Sequence, residues 1–326
     1  MYYLTYRPQT LDEIDNSHVR DIIRQILNAE NVPHAFLFVG QKGTGKTSVA
    51  RIVARSLNKL TEQDISPDIV EMDAASNRGI EEVKSLIKEA SYLPMTGAFR
   101  IFIIDEAHMI TTEAYNALLK TLEEPPATAV FILATTNLEK VPKTIVSRCS
   151  VVNFGKAKDE DVVTMLSRIA LREKIPTSPE LFQLIARHAD GSFRDAAKIL
   201  EDLVIQKKLS VGDAKQHLGI VGTKNLIEVI DGSSLPQALA WIQRFTQEGG
   251  SIKNLIETTL HDLHTLMLQH HGIKTDTEKI VSKLTASEVV LLIKHLTEAY
   301  RTLSFTPIES LTLEIAIAEF YNERHV

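Results

Sequence analysis

The stretch that decides the fold is Ala35-Phe36-Leu37-Phe38-Val39 running into Gly40-Gln41-Lys42-Gly43-Thr44-Gly45-Lys46-Thr47. Five consecutive apolar residues without polar alternation describe a strand buried on both faces, as in a parallel sheet. The loop that follows has the form G-x-x-x-x-G-K-[ST]. Its glycines reach backbone angles closed to other residues, so successive N–H groups can turn toward one anion. Residues 48–57 then read as a helix, with Val49, Ile52, Val53 and Leu57 on one face. A helix opening on that loop adds its positive dipole end to the same anion. Lys46 is placed to neutralise β- and γ-phosphates, and Thr47 to offer its hydroxyl to Mg²⁺. A chance lysine after a glycine-rich turn lacks this strand-before, helix-after context.

Outward from the loop, further strands are expected at 69–72, 101–104, 130–134 and 151–154. A helix is expected at 113–124, behind Thr111-Thr112 and ahead of Pro125-Pro126. The predicted domain is α/β, a five-stranded parallel sheet with helices on both faces. The strand at 101–104 ends in Asp105-Glu106, on the edge where open α/β sheets bind ligands. Asp105 is the candidate to hold Mg²⁺, and Glu106 to orient or deprotonate an attacking water. The strand at 130–134 runs into Thr135-Thr136-Asn137, where Thr136 and Asn137 can sense a terminal phosphate. Arg148 in Ser147-Arg148-Cys149 and Arg194 in Gly191-Ser192-Phe193-Arg194-Asp195-Ala196 are suited to phosphate charge by their planar, forked donors. Asp105-Glu106-Ala107-His108 also spells the signature of one helicase class. That reading needs a second nucleotide-binding α/β lobe, and nothing after residue 155 offers one.

Beyond 155 the pattern turns helical, at 159–173, 179–190, 193–207, 211–218, 223–230, 235–247, 251–270, 285–303 and 309–323, with breaks at 219–223 and 273–276. The 326 residues exceed an ordinary domain of ~100–200. They divide into an α/β nucleotide-binding domain at 1–155, a small helical lid at 156–220 and an all-helical domain at 221–326. With 36 Lys+Arg against 42 Asp+Glu the net charge is -6, so non-specific attraction to nucleic acid or an anionic membrane is not the default. No apolar run approaches the ~20 residues of a membrane helix, and the N-terminus lacks the apolar core of a secretory signal. The single cysteine, Cys149, excludes an intramolecular disulfide and a cysteine-cluster metal site, and fits a reducing cytoplasm. His261, His264, His270 and His271 include an i, i+3 pair but read better as exposed polar positions. Arg78, Lys84, Lys88 and Arg100 are candidates for a surface facing nucleic acid.

Taken together these residues resemble the AAA+ ATPases, specifically the clamp-loader branch and its gamma/tau family of bacterial DNA polymerase III subunits. The likeness is carried by Tyr6-Arg7-Pro8-Gln9-Thr10, His34-Ala35-Phe36-Leu37-Phe38, the phosphate loop and Glu71-Met72-Asp73-Ala74-Ala75-Ser76. It continues through Ile104-Asp105-Glu106-Ala107-His108-Met109, Asn116-Ala117-Leu118-Leu119-Lys120-Thr121-Leu122-Glu123-Glu124-Pro125-Pro126, Leu133-Ala134-Thr135-Thr136, and the two arginine motifs. It is dense to about residue 220, whereas 221–326 match only as a helical region. The resemblance implies ATP and Mg²⁺ as ligands, Tyr6, Arg7 and Pro8 near the adenine, and Arg194 as a second sensor on its own site. It implies that Arg148 completes the site of a neighbouring subunit in trans, and that the third domain is a collar. The implied assembly is a five-membered ring of copies of this chain with delta- and delta-prime-like subunits. Its implied work is to open a sliding clamp on ATP binding, load it on primer–template DNA and release it on hydrolysis, in the cytoplasm and on the nucleoid.

Two departures from the family stand out. Members usually carry a four-cysteine zinc module between the helix after the phosphate loop and the next strand, but here the interval 58–68 has no cysteine. Thiolate ligation is impossible there, and no structural zinc is expected. The extensions that bind polymerase and helicase in the longer form are also expected to be absent. Alternatives within the fold are an archaeal or eukaryotic-type small loader subunit, and a non-catalytic ring component that keeps only its arginine finger. A different AAA+ machine, such as a Holliday-junction motor or helicase loader, is disfavoured by Ser147-Arg148-Cys149.

Overall fold

Five short strands, β1 (Ala35–Val39), β2 (Ile69–Asp73), β3 (Arg100–Asp105), β4 (Ala129–Thr135) and β5 (Ser150–Asn153), lie side by side in the order β2-β3-β4-β1-β5. All neighbours are parallel, with Leu37 opposite Leu133 and Val151 and Phe102 opposite Phe131. The structure is a computed structural model and describes residues 1–61, 64–176, 178–218, 225–273 and 280–324. The period-2 geometry of a strand sends adjacent side chains to opposite faces. Phe36, Phe38, Ile101, Ile103 and Ile132 therefore enter one core, and Leu37, Phe102, Ile104, Phe131 and Leu133 the other. This explains the continuous apolar runs: both faces are covered.

Helices α1 (Tyr2–Thr5), α2 (Ser17–Leu27), α3 (Lys46–Leu57), α4 (Ile80–Ala90), α5 (Thr112–Glu123) and α6 (Lys143–Val146) accompany the sheet. α2 and α3 supply Val19, Ile23, Val49, Ile52 and Val53 to the first core, while α4 and α5 supply Val83, Leu86, Leu118 and Leu122 to the second. α2 and α4 were not expected from the sequence. Each buries only a narrow stripe beneath charged residues, and α2 starts on Asn16, whose side chain accepts from the Val19 N–H at 3.1 Å.

The interval without cysteines is bounded by two buried polar residues instead. Asn58 donates to the Phe99 carbonyl and accepts from the Phe99 N–H, each at 2.8 Å. Asp68, fully buried, accepts from the N–H groups of Met95, Thr96 and Gly97 at 2.6, 2.7 and 2.8 Å and from the Thr96 hydroxyl at 2.9 Å. Burial alone would raise its pKa, but these donors hold the carboxyl down at about 2. They pin the turn 95–99 against the end of α3 and the start of β2.

Helices α7 (Asp159–Glu173), α8 (Pro179–His188) and α9 (Phe193–Ile205) complete the first compact unit, Met1–Ser210. The second, Val211–Val326, has only helices as regular elements among its described residues: α10 (Val211–His217), α11 (Leu226–Gly232), α12 (Leu235–Gln247), α13 (Ile252–His270), α14 (Ala286–Thr302) and α15 (Glu309–Glu323). Its core gathers Ile230, Ile242, Leu263, Leu292, Ile317 and Phe320. α14 opens on a capping box between Thr285 and Glu288. The expected breaks at 219–223 and 274–276, and the first two residues of the helix expected at 223–230, lie outside the described residues.

Candidate active site

The phosphate loop leaves β1 and enters α3 through two left-handed glycines, Gly43 at φ +82° and Gly45 at φ +96°. Gly43 is also constrained by contact, since a Cβ there would lie 2.0 Å from the Ser192 Oγ. Ser192 caps α9 by accepting from the Asp195 N–H at 3.2 Å. The loop and the first turn of α9 are therefore in van der Waals contact, which places Arg194 over the loop.

Around this junction lies an open cleft bordered by the phosphate loop, the end of β3 and the first turn of α9. Of the residues picked from sequence, Tyr6, Arg7, Pro8, Lys42, Gly43, Thr44, Gly45, Lys46, Thr47, Asp105, Glu106 and Arg194 all line it. Gly40 and Gln41 contribute through their carbonyls, each accepting from the Lys46 Nζ at 2.9 Å. Burial lowers the Lys46 pKa, and Glu106 and Asp105 oppose that shift. Arg7 donates from Nε to the Ser48 hydroxyl at 2.7 Å. Burial, with Arg51 adding repulsion, lowers its guanidinium to about 10.

β3 delivers the two carboxylates. The Thr47 hydroxyl donates to the Asp105 Oδ2 at 2.6 Å, and the other carboxyl oxygen accepts from the Glu106 N–H at 2.9 Å. Adjacent ligands of an octahedral Mg²⁺, each about 2.0–2.1 Å from the metal, stand roughly 2.9 Å apart. The Thr47–Asp105 pair of hard oxygens thus fits one edge of such a shell. Glu106 is left-handed at φ +48°, a conformation that costs a residue with a side chain about 1–3 kcal/mol. The turn sends its side chain toward β4, where the Thr136 hydroxyl donates to Oε2 at 3.2 Å.

Three predicted residues stand elsewhere. Thr136 contacts Glu106 but does not line the cleft. Asn137 spends its side-chain oxygen on the Lys140 N–H at 3.3 Å, capping the short helix Leu138–Lys140. Arg148 does not line the cleft; it is one-third exposed, donating to the Thr144 carbonyl at 2.7 Å and ion-paired with Glu123. The sequence reading missed Tyr2, Tyr3, Asp15, Met165 and Ile169 of the lining. Tyr3 lies under Arg194, whose guanidinium carbon is 5.8 Å from the ring centroid. The cluster Tyr2-Tyr3-Tyr6 was the available signal, an aromatic concentration beside a nucleotide loop.

Of the other singled-out residues, His261, His264, His270 and His271 are exposed at the surface of α13 and its end. Arg78, Lys84 and Lys88 are exposed, but Arg100 is largely buried and paired with Glu89 at 2.8 Å. Cys149 is half-buried against the second core, and burial pushes its thiol up to about 11. Among the described residues no helix is long and apolar enough to cross a membrane.

A family model described as "DNA polymerase III, delta subunit" matches residues 15–158. The tau subunit of DNA polymerase III from Bacillus subtilis is 29% identical, the match covering 99% of this chain and 63% of that protein. The gamma subunit from Buchnera aphidicola of Baizongia pistaciae is 36% identical, over 69% of this chain and 66% of its own length. The chain spans between 39% and 63% of the first tau subunits it matches. Among solved structures, the Thermotoga maritima RuvB Holliday junction branch migration motor aligns with a TM-score of 0.53 at 18% identity, over 73% of this chain and 85% of that one. That likeness concerns the fold, an AAA+ P-loop architecture. The match to tau along almost all of this chain and the higher identity to gamma carry the assignment: the chain belongs to the gamma/tau family of bacterial DNA polymerase III subunits.

Proposed function

We propose that this chain is the ATP-driven motor subunit of a clamp loader, binding and hydrolysing ATP to open a sliding clamp and place it on primed DNA. The observation that carries the proposal is the convergence of the glycine loop, Lys46, Thr47, Asp105, Glu106 and Arg194 on one cleft, on a chain related to gamma and tau subunits. A non-catalytic ring component would have no need of that full set.

In this reading the loop N–H groups and the start of α3 cradle the phosphates, and Lys46 exchanges its two carbonyl partners for phosphate oxygens. Thr47 and Asp105 hold Mg²⁺, which when bound draws charge from the phosphate oxygens. Glu106 orients the attacking water and accepts its proton. Arg194 meets the terminal phosphate from the lid side, so that ATP and ADP set different lid positions. Tyr6, Arg7 and Pro8 border the adenine, Thr136 and Asn137 report on the terminal phosphate, and Arg148 reaches the ATP of a neighbouring subunit in trans. The working division is a nucleotide-binding domain at 1–155, a lid at 156–220 and a collar at 221–326. The partners are copies of this chain with delta- and delta-prime-like subunits in a five-membered ring, together with the clamp and primer–template DNA, in the cytoplasm.

The test is clamp retention on a primed circular DNA by an assembly containing this chain. ATP-dependent retention that disappears with Lys46→Ala supports the proposal. Retention that is indifferent to ATP, or unaffected by that substitution, refutes it.

A further inference from the structure

Among the groups behind the cleft, one histidine touches the reacting residues without lining the cleft itself. His108 follows β3 by three residues, in the short helix Ala107–Met109, with 13% of its side chain exposed. Its Nδ1 lies 3.4 Å from the Glu106 Oε2 and 3.3 Å from the hydroxyl of Thr135, which is fully buried at the end of β4.

The bonding around that hydroxyl determines which ring nitrogen carries the proton. The Thr135 hydroxyl donates to the Asn137 carbonyl at 3.1 Å and accepts from the Asn137 N–H at 3.0 Å. Its one hydrogen is thereby used, and a lone pair remains to accept. The Glu106 carboxylate, ionised, is an acceptor only. A bare Nδ1 lone pair would face two oxygens that have nothing to donate to it. With the proton on Nδ1 the ring turns a donor toward both oxygens, and this tautomer is therefore assigned from the network.

The contacts on Glu106 also fall on one oxygen. The Thr136 hydroxyl and the His108 Nδ1–H both address Oε2, leaving Oε1 as the oxygen to accept from water. We propose that His108 is a positioning residue for Glu106: its Nδ1–H ties the carboxylate to the buried Thr135 at the end of β4 and aims Oε1 at the nucleophile. The left-handed backbone of Glu106 throws this side chain across to the end of β4, where without His108 the Thr136 hydroxyl is its sole hydrogen-bonding anchor among the described residues. The tie also joins Glu106 to the strand end that continues into Thr136-Asn137, so displacement of that segment moves the base. This inference rests on the proposed role of Glu106 in ATP hydrolysis.

The test uses the full chain in its assembled complex, with wild type, His108→Ala, His108→Asn, His108→Gln and Glu106→Gln. An asparagine amide nitrogen falls near the position of Nδ1, whereas that of glutamine falls near Nε2. His108→Ala is expected to lower kcat roughly 10- to 100-fold, the scale of a displaced catalytic group, with nucleotide Kd within about twofold of wild type, on the premise that binding is carried by the loop. His108→Asn should recover most of the rate, and His108→Gln should not. Independently of turnover, ¹⁵N spectra of the resting protein should show the His108 proton on Nδ1. Four results overturn the inference: an unchanged kcat in His108→Ala, a loss of Kd parallel to kcat, equal rescue by Gln and Asn, or a ring protonated on Nε2 alone. Full activity in Glu106→Gln would instead overturn the role of Glu106, and this inference with it.

Discussion

Replacing Gly43 by alanine tests the contact between the phosphate loop and the lid. Two penalties arise. Holding alanine at φ +82° costs about 1 kcal/mol relative to glycine. The new Cβ would lie 2.0 Å from the Ser192 Oγ, so Ser192 must retreat by more than an ångström and release the Asp195 N–H that it caps. Losing such a cap costs about 1 kcal/mol. If the docked α9, which carries Arg194, is the nucleotide-competent arrangement, a total of about 2 kcal/mol weakens apparent ATP affinity about 30-fold. Gly45→Ala is the control: its φ is +96°, but nothing lies within 4 Å of the added Cβ. Strain alone there predicts a loss of about fivefold. Combining Gly43→Ala with Ser192→Gly removes the collision and keeps a tolerable cap, so affinity should return to the fivefold level. Titration calorimetry with ATP reads all four proteins. An unchanged affinity in Gly43→Ala, or a double variant no better than the single, would refute the reasoning.

Glu106→Gln should bind ATP normally and hydrolyse it about 10²–10⁴-fold more slowly, the usual worth of a general base, in single-turnover assays. Asp105→Asn should raise the Mg²⁺ concentration needed for half-maximal hydrolysis, and chelation of Mg²⁺ should stop turnover in wild type; turnover that survives the chelator contradicts the assignment of Thr47 and Asp105. Asp68, held at about 2, stabilises the fold above its ordinary carboxyl pKa and loses that contribution as pH falls toward 2. Urea unfolding should show about 2 kcal/mol of acid-dependent stability that is missing in Asp68→Asn; identical pH slopes in the two proteins would contradict the clasp. Arg148→Ala should bind ATP at its own site yet depress turnover of wild-type subunits mixed with it, and a defect confined to its own site rules out action in trans.

The five strands were legible because both faces of the sheet are covered: Ala35–Val39 and Ala129–Thr135 carry no polar alternation to confuse the period. The phosphate loop was legible because its chemistry requires contiguous residues. α4 was not, since its buried Val83, Leu86 and Ala90 sit among four glutamates and lysines within the helix's first two and a half turns. Contacts between distant segments were equally hidden. Asp68 reads as one more acidic loop residue until the N–H groups of 95–97 close on it, and Ser192 gives no sign of the Gly43 it abuts. Asn137 could be read as a phosphate sensor from its place at a strand end, but not as the cap of Leu138–Lys140, whose Lys140 N–H its oxygen accepts from. Glu106 could be read as the candidate to orient or deprotonate a water, whereas its left-handed turn, and with it the reach to Thr136, depends on backbone angles that no residue type announces.

The central claim is that ATP turnover at the Lys46–Asp105–Glu106 cleft is coupled to clamp loading. Steady-state ATPase of an assembly built with this chain, measured alone and then with a sliding clamp and primed DNA together, tests it most directly. The account predicts a rate that rises when both are present and that vanishes with Lys46→Ala in either condition. A rate indifferent to clamp and DNA would contradict the loader function while leaving the chain an ATPase.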